Sequence, residues 1–365
     1  MRRLRAREAG IALGGMQPGE HNAITDVKGV RVGHATIIRG EGALVRGVGP
    51  VRTGVTAVIP HPGNLFAEKV PAAATVFNGF GKTIGLVQIE ELGQLETPIL
   101  LTNTLNVGKV ADALVEYMIE QHPAIGVTAG SVNPVVCECY DGYLNDIGGR
   151  HVGRDEVRKA LQAASEAVPE EGNVGAGTGM MAYGFAGGIG TASRRLEERY
   201  GGYTLGALVL ANFGRRADLL IGGVPVGREL GRAPGQAREQ GSVIVLLATD
   251  APLDARQLAR LTRRVPLGLA RTGTHGGHGS GDLAIAFSTA DRIPCEPEPP
   301  VRLVHVLNEQ SPILDQLFAA VVETTEEAVI NALYGARSIT GRDGHGAEAL
   351  PLELVGEILQ RYGVE

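Results

Sequence analysis

Gly241-Ser242 is the position in this sequence where a hydroxyl is best placed to do chemistry. The preceding segment, 227–241, is rich in Gly, Arg and Gln and has no apolar period, whereas 242–249 (SVIVLLAT) is an apolar run typical of a buried strand. A serine hydroxyl is a poor nucleophile unless a base removes its proton. No histidine lies near Ser242 in the sequence, so that base must come from elsewhere.

A cut between Gly241 and Ser242 would create such a base. The new α-amine would have a pKa of about 8 in a free peptide, and it would belong to the same residue as the hydroxyl, which supplies proximity and orientation. Ser242 could make this cut itself by attacking the Gly241 carbonyl in an N→O acyl shift, because glycine leaves that carbonyl unshielded. The competing interpretation is a turn that opens a strand, since Gly-Ser is common in turns.

The cysteines and the His275–His278 pair are also chemically reactive types, but their spacing indicates structural roles. The odd cysteine count, Cys137, Cys139 and Cys295, has no disulfide framework and fits a reducing compartment. Strand alternation places Cys137 and Cys139 on one face, but no second pair stands at zinc-finger spacing, so both are expected in the core. His275-Gly-Gly-His278 lies among glycines, where no helix would hold two imidazoles on one metal ion.

Two glycine-rich segments resemble phosphate-binding motifs but do not match them. In GNVGAGTGM (172–180) the dinucleotide pattern needs a glycine where Met180 stands, and Gly81-Lys82-Thr83 lacks the first P-loop glycine because position 76 is Val76. These segments are therefore expected to be turns. Such turns can still direct backbone N–H groups at a developing oxyanion.

The composition excludes several classes of protein. The net charge of −6 does not suggest a nucleic-acid surface, and no apolar run reaches the roughly 18 residues of a membrane span. The apolar run IALGG is too short for a signal peptide, and the four arginines within residues 1–7 are expected to form a solvated tail. The sequence predicts a soluble, cytoplasmic protein whose 53 glycines serve turns and close backbone approaches.

Strands and helices alternate along the chain in a pattern that predicts an α/β fold. No internal repeat is evident, and the linker-like segment 227–241 lies between two strands of one fold rather than between domains. Strands are predicted at 30–37, 54–60, 97–103, 203–212, 242–249, 282–289 and 301–308. Helices are predicted at 108–121, 254–264 and from Ser311-Pro312, as N-cap and first residue, to about Gly335.

A series of motifs in order along nearly the whole chain resembles the L-aminopeptidase/D-alanyl-esterase-amidase (DmpA-like) family, which includes the β-peptidyl aminopeptidases. The motifs are NAITDVKGVRVGHATI (22–37), NGFGK (78–82), NPVV (133–136), YDGYLNDI (140–147), GNVGAGTGM with GGIGTASR (172–194), LVLANFGRR (208–216), GSVIVLLATDAPL (241–253) and VPLGLARTG…GSGDLAIAFSTA (265–290). The resemblance implies a single domain, 1–365, with a four-layer αββα sandwich resembling the N-terminal-nucleophile hydrolases. It also implies self-cleavage at Gly241–Ser242 into chains 1–241 and 242–365.

The same resemblance implies roles for further residues. Ser280 and Asp282 of GSGD match a second serine and an acidic position, and residues two apart on an extended segment face one side. Asn212 matches the residue that donates to the oxyanion. A site tyrosine matches Tyr140, with Tyr143 as the alternative.

The implied activity is hydrolysis of N-terminal residues from peptides, amides or esters through an acyl-enzyme on Ser242, without a metal or organic cofactor. The implied assembly is a homotetramer of processed heterodimers. Asp282 is one candidate for binding the ammonium group of the substrate. Two alternatives remain: an acyltransferase like the ornithine acetyltransferases, which cleave themselves at threonine instead, and a non-enzymatic binding protein of the same fold.

Overall fold

Two β-sheets pack face to face between two outer layers of helices. The computed structural model describes residues 3–231, 241–296 and 300–364, so most of the predicted linker-like segment, at 232–240, lies outside the described residues. The strands are β1 (Arg31–Arg39), β2 (Val51–Ile59), β3 (Glu68–Gly79), β4 (Gln94–Leu95), β5 (Ile99–Asn103), β6 (Val135–Cys139), β7 (Met181–Ala182), β8 (Phe185–Ala186), β9 (Gly188–Arg195), β10 (Thr204–Asn212), β11 (Ser242–Thr249), β12 (Gly281–Ser288), β13 (Ile293–Pro294), β14 (Ile339–Thr340) and β15 (Gly346–Ala347).

The helices are α1 (Leu86–Leu92), α2 (Val107–Gln121), α3 (Arg154–Gln162), α4 (Val226–Glu229), α5 (Ala255–Thr262), α6 (Val265–Arg271), α7 (Ile313–Gly335) and α8 (Leu352–Arg361). The smaller sheet has the strand order β1-β2-β5-β6, and the larger has the order β13-β3-β12-β11-β10-β9. Neighbouring strands are antiparallel except for β5–β6 and β11–β12, which are parallel.

The alternation of side chains along β11 shows how the layers are held together. Ile244 and Leu246 point into the space between the sheets, where they join Val58, Leu101 and other side chains of the smaller sheet. Val243 and Val245 point the other way, into the core shared with α5, α6 and α7. A third core lies between the smaller sheet and helices α2 and α3. These cores give the αββα sandwich that the resemblance implied.

Three of the four N-terminal arginines, Arg3, Arg5 and Arg7, do not form a solvated tail as predicted, and Arg2 lies outside the described residues. Arg3 donates to the carbonyls of Tyr334 and Leu350, and Arg7 forms an ion pair with the fully buried Glu327. Arg5 donates to three backbone carbonyls and pairs with Glu171. Each of these three guanidinium groups binds acceptors that are distant in the sequence, which ties the N-terminal segment to the rest of the fold.

Six of the seven predicted strands are confirmed with shifts of a few residues, whereas the strand predicted at 301–308 is wrong. That segment pairs with no strand in the part of the chain that the structure describes, and Leu303 is 90% exposed. Helix α7 begins at Ile313, two residues after the predicted cap Ser311, whose hydroxyl accepts from the Ile313 N–H. Cys137 and Cys139 are core residues as predicted. None of the helices described is long and apolar enough to cross a bilayer.

Candidate active site

Two of the residues predicted from the sequence, Asn212 and Ser242, lie in one row that crosses three adjacent strands of the larger sheet, and Ser280 and Asp282 flank the third member of that row, Gly281. Ser242, the first residue of β11, lies directly opposite Asn212, the last residue of β10. On its other side Ser242 is in register with Gly281, the first residue of β12. A serine hydroxyl, a carboxamide and the GSGD segment are therefore neighbours at one edge of the space between the two sheets.

The backbone at Gly241 accepts no side chain. Its φ angle is +131°, and a β-carbon added there would lie 1.7 Å from the carbonyl oxygen of Asn212. Only glycine combines this backbone conformation with so close an approach. The same packing holds the Gly241–Ser242 peptide bond against the end of β10.

Two hydrogen bonds fix Ser242, one to its side chain and one to its backbone. The Ser242 Oγ accepts a hydrogen bond from the Gly281 N–H at 3.0 Å, and the Cys139 thiol donates to the Ser242 carbonyl at 3.4 Å. Burial raises the pKa of the Cys139 thiol well above its ordinary value. Cys139 is thus a neutral donor that anchors the nucleophile segment to the smaller sheet, rather than a competing nucleophile.

The Asn212 carboxamide is oriented by two backbone groups. Its Oδ1 accepts from the Met181 N–H at 2.9 Å, and its Nδ2 donates to the Tyr140 carbonyl at 3.0 Å. These bonds define which end of the amide carries the donors. A side-chain amide has two N–H groups on Nδ2, so one remains for a ligand beside the Ser242 hydroxyl.

Ser280 and Asp282 form a pair, as their spacing predicts. The Ser280 Oγ donates to Asp282 Oδ1 at 2.5 Å, and the same oxygen accepts from the Val243 N–H at 3.1 Å. Both side chains are buried. Because Val243 follows Ser242 directly, this pair lies one peptide unit from the nucleophile and holds the β11 backbone in place.

Tyr140 and Tyr143 differ in their relation to the site. Tyr140 follows β6, its carbonyl accepts a hydrogen bond from the Asn212 amide, and the residue is 53% exposed. The Tyr143 ring instead stacks on His345, with centroids 4.4 Å apart. These contacts favour Tyr140 as the tyrosine of this site.

Glu138 is a buried carboxylate near Ser242 that the sequence reasoning missed. It accepts from the Lys82 N–H at 2.8 Å and from the Thr104 hydroxyl. A side chain placed at Gly81 would meet both Glu138 Oε1 and the Gly281 Cα at 3.5 Å, which puts this carboxylate beside the row that contains Ser242. The available signal was the alternation Cys137-Glu138-Cys139, which sets a carboxylate at the end of a buried strand.

Asp141 is a second buried carboxyl group next to the site. It receives hydrogen bonds from Thr53 and Asn145, and burial raises its pKa to about 7 despite these donors. Its β-carbon also lies where a side chain at Gly179 would meet it, at 3.0 Å. Asp141 directly follows Tyr140 and packs against the segment that leads to Met181. Tyr140 and Met181 are the two residues whose backbone groups hold the Asn212 amide.

The geometry suits acyl transfer to serine. The Ser242 hydroxyl, the oriented Asn212 amide and the backbone N–H of Gly281 meet at the start of β11, and donors of this kind stabilise a tetrahedral intermediate. Across the described ranges no group of three or more His, Cys, Asp or Glu side chains is arranged to hold a metal ion. His275 and His278 belong to the loop before GSGD, where the Asn78 amide donates to the His278 carbonyl.

Comparison with known proteins gives one family and several close relatives. Residues 22–347 match the family described as Peptidase family S58. The β-peptidyl aminopeptidase BapA of Sphingosinicella microcystinivorans is 42% identical over 378 residues, covering 98% of this chain and 92% of that protein.

Two solved structures are also similar over the whole domain. The PH0078 protein from Pyrococcus horikoshii OT3 is 54% identical with a TM-score of 0.94, covering 99% of this chain and 100% of that one. The L-aminopeptidase D-Ala-esterase/amidase from Ochrobactrum anthropi, described as a prototype of the serine aminopeptidases and a variant of the Ntn hydrolase fold, is 43% identical with a TM-score of 0.91. That match covers 99% of each chain.

Proposed function

This chain belongs to peptidase family S58 and is a serine aminopeptidase, and on that premise we propose that it cleaves itself between Gly241 and Ser242 and then uses Ser242 as its N-terminal nucleophile. The observation that carries the proposal is the row Asn212–Ser242–Gly281, with a Gly241 backbone that excludes every side chain.

Self-cleavage would begin with attack of the Ser242 Oγ on the Gly241 carbonyl carbon. The C–N bond breaks, the amine nitrogen of Ser242 takes up the proton, and Gly241 is left as an ester on Oγ. Water then hydrolyses this ester and releases the chain end at Gly241. The close contact between Gly241 and the Asn212 carbonyl supports this step, because it holds the scissile bond against a rigid strand end.

The processed enzyme would use the same groups on substrate. The α-amine of Ser242 takes the hydroxyl proton, Oγ attacks the scissile carbonyl, and the Asn212 Nδ2 donates to the oxyanion. The amine then protonates the leaving group, and water resolves the acyl-enzyme. Ser280 and Asp282 support this chemistry by fixing the N–H of Val243 and by placing a negative charge close to the new ammonium group.

We assign binding of the substrate ammonium to Glu138. Its carboxylate is buried beside Gly81 and Gly281, and its hydrogen-bond donors among the described residues are neutral, namely the Lys82 N–H and the Thr104 hydroxyl. A buried carboxylate without a cation is poised to bind one. Asp282, the candidate from the sequence, already accepts from Ser280 and Val243, which makes it the weaker choice.

Substrates proposed for this chain are short peptides and amino-acid amides or esters, because its relatives include a β-peptidyl aminopeptidase and an L-aminopeptidase D-Ala-esterase/amidase. Hydrolysis rather than acyl transfer is favoured because those relatives are named aminopeptidases. We further propose a cytoplasmic location, which the free thiols of Cys137, Cys139 and Cys295 support, and a homotetramer of processed heterodimers, as the family resemblance implies.

The test combines processing with activity. Purified protein should separate on a denaturing gel into fragments 1–241 and 242–365, and Edman sequencing of the smaller fragment should read SVIVLL. Ser242→Ala should remain one intact chain, inactive against a panel of L-α-, D- and β-aminoacyl p-nitroanilides that the wild type hydrolyses. A different N-terminus, or activity in Ser242→Ala, would exclude Ser242 as the nucleophile.

A further inference from the structure

The turn that follows β3 forms one wall of the site. The Phe80 N–H donates to the Ser280 carbonyl at 3.3 Å, which joins this turn to the GSGD segment. A β-carbon added at Gly281 would lie 2.7 Å from the Gly81 Cα and 3.2 Å from the Ser242 Oγ. The turn is therefore in van der Waals contact with the backbone next to the nucleophile.

Lys82 ends this turn, and its side chain folds back along it. Nζ donates to the Phe80 carbonyl at 2.7 Å and stands 4.5 Å from the centroid of the Phe80 ring. No carboxylate forms an ion pair with this ammonium group within residues 3–231, 241–296 and 300–364. The charge is held at the wall of the site by a carbonyl and a ring, and an ammonium group has further N–H donors to offer.

Lys82 and Glu138 place opposite charges on one structural unit. The backbone N–H of Lys82 binds the Glu138 carboxylate, while its side chain places an ammonium group over the ring of the exposed Phe80. A dipeptide has the same arrangement, an ammonium group at one end and a carboxylate at the other. We propose that Lys82 is a specificity-determining residue that binds a carboxylate on the first residue of the leaving group.

This assignment rests on the proposed function, in which Glu138 binds the substrate ammonium and Ser242 attacks the adjacent carbonyl. In this proposal the leaving group extends beyond Ser242 toward Phe80, which is joined to the Ser280 carbonyl, and toward the ammonium group of Lys82. A free carboxylate there gains a charge-assisted contact that an amide or an arylamide does not. The enzyme is thereby tuned to dipeptides and other short peptides with an acidic group one residue beyond the cut.

The test compares matched substrates in matched variants. Steady-state kcat/KM is measured for β-Ala-Ala, β-Ala-Ala-NH2 and β-Ala-Asp-NH2, and for the corresponding L-alanyl series, in the wild type, Lys82→Met and Lys82→Arg. Lys159→Met, which removes an exposed lysine from the outer helix α3, controls for the change in net charge. Processing and thermal melting are checked first in each variant.

The expected ratio of free acid to amide is about two- to fivefold in the wild type, the range of a partly exposed ion pair. This ratio should fall to about one in Lys82→Met, stay in Lys82→Arg and Lys159→Met, and shrink as salt is added. Preference for β-Ala-Asp-NH2 alone would assign the contact to an acidic side chain rather than to a C-terminal carboxylate. A ratio unchanged in an active Lys82→Met protein would overturn the inference, whereas no hydrolysis of any substrate by the wild type would overturn the proposed function itself.

Discussion

A β-carbon on residue 241 would lie 1.7 Å from the carbonyl oxygen of Asn212, so the residue before Ser242 can only be glycine in this backbone. Asn212 therefore contributes to the site through both its backbone and its side chain. Its backbone sets the position of the scissile peptide bond, and its side chain supplies an oriented amide donor beside Ser242.

Gly241→Ala should block or greatly slow self-cleavage. The new methyl group must move the 241–242 peptide away from β10. The φ angle of residue 241, +131°, is also one that alanine rarely adopts. A penalty of about 1–3 kcal/mol for such strain corresponds to a slowing of roughly 5- to 150-fold if it falls on the reactive conformation. Precursor half-life on a denaturing gel is the measurement.

Gly279→Ala is the matched control for that experiment. Gly279 also lies close to the site, but a β-carbon there meets no atom within 4 Å and its φ is not positive. It should process at the wild-type rate. Equal rates in Gly241→Ala and Gly279→Ala would show that the close approach at 241 has no part in the reaction.

Glu138→Gln should separate substrate binding from self-cleavage. The change keeps the shape and an acceptor for the Lys82 N–H but removes the charge that pairs with the substrate ammonium. Loss of a charge-assisted hydrogen bond of about 1.5–3 kcal/mol predicts a fall in kcat/KM of roughly 10- to 150-fold. Self-cleavage should keep its rate, because no ammonium group is present at the precursor's Gly241–Ser242 bond. If processing and peptide hydrolysis fell together, Glu138 would be a structural residue.

Asp141 predicts an unusual dependence of stability on pH. Its pKa is about 7 in the folded chain, against 3.8 for an unperturbed aspartate, because burial disfavours the charged form. Between about pH 4 and pH 7 the folded chain holds a proton that the unfolded chain has lost, so stability falls as pH rises through this window and is then level. The upper bound is about 4 kcal/mol, from about three pKa units.

Asp141→Asn should remove this pH dependence. The amide keeps the size of the side chain and needs no ionisation, so the variant should gain stability over the wild type at pH 8 and not at pH 4. Denaturant unfolding at both values, with the exposed Asp112→Asn in α2 as control, measures the difference. A wild-type protein equally stable at pH 4 and pH 8 would contradict the raised pKa.

The sequence predicts those site residues that local sequence patterns mark. An apolar run after a flexible segment located Ser242, and the spacing within GSGD placed Ser280 and Asp282 together. The role of Asn212 came from resemblance to a family, since an amide at a strand end carries no signal of its own. The pairing of β10 with β11 in register then brings Asn212 opposite Ser242.

Other parts depend on packing that no local pattern contains. Glu138 comes close to Ser242 because β6, in the smaller sheet, ends beside β11 in the larger one, as the contact between Cys139 and the Ser242 carbonyl shows. The strand predicted at 301–308 is wrong because a local pattern was present without the packing that a strand needs. Its apolar residues have the composition of a buried strand, but no sheet edge in the described chain takes it up, so Leu303 stays exposed.

Asn212→Ala tests whether the amide stabilises the oxyanion in both reactions. A carboxamide is neutral and acts neither as an acid nor as a base at neutral pH, so Asn212 must contribute through its oriented N–H dipole. Loss of one such donor typically lowers turnover by about 10²- to 10³-fold. Self-cleavage should slow as well, because Ser242 forms a tetrahedral oxyanion in that reaction too.

The substitution also leaves the Tyr140 carbonyl and the Met181 N–H without their side-chain partner. This should cost about 1–3 kcal/mol of stability, which a domain of this kind can lose and still fold. Precursor half-life, turnover of protein that has been cleaved, and thermal melting therefore have to be measured on the same preparation. If a folded Asn212→Ala protein processed and turned over normally, the oxyanion donor would be a backbone group instead. The N–H of Gly81, which lies against Gly281 beside Ser242, would then be the first to examine.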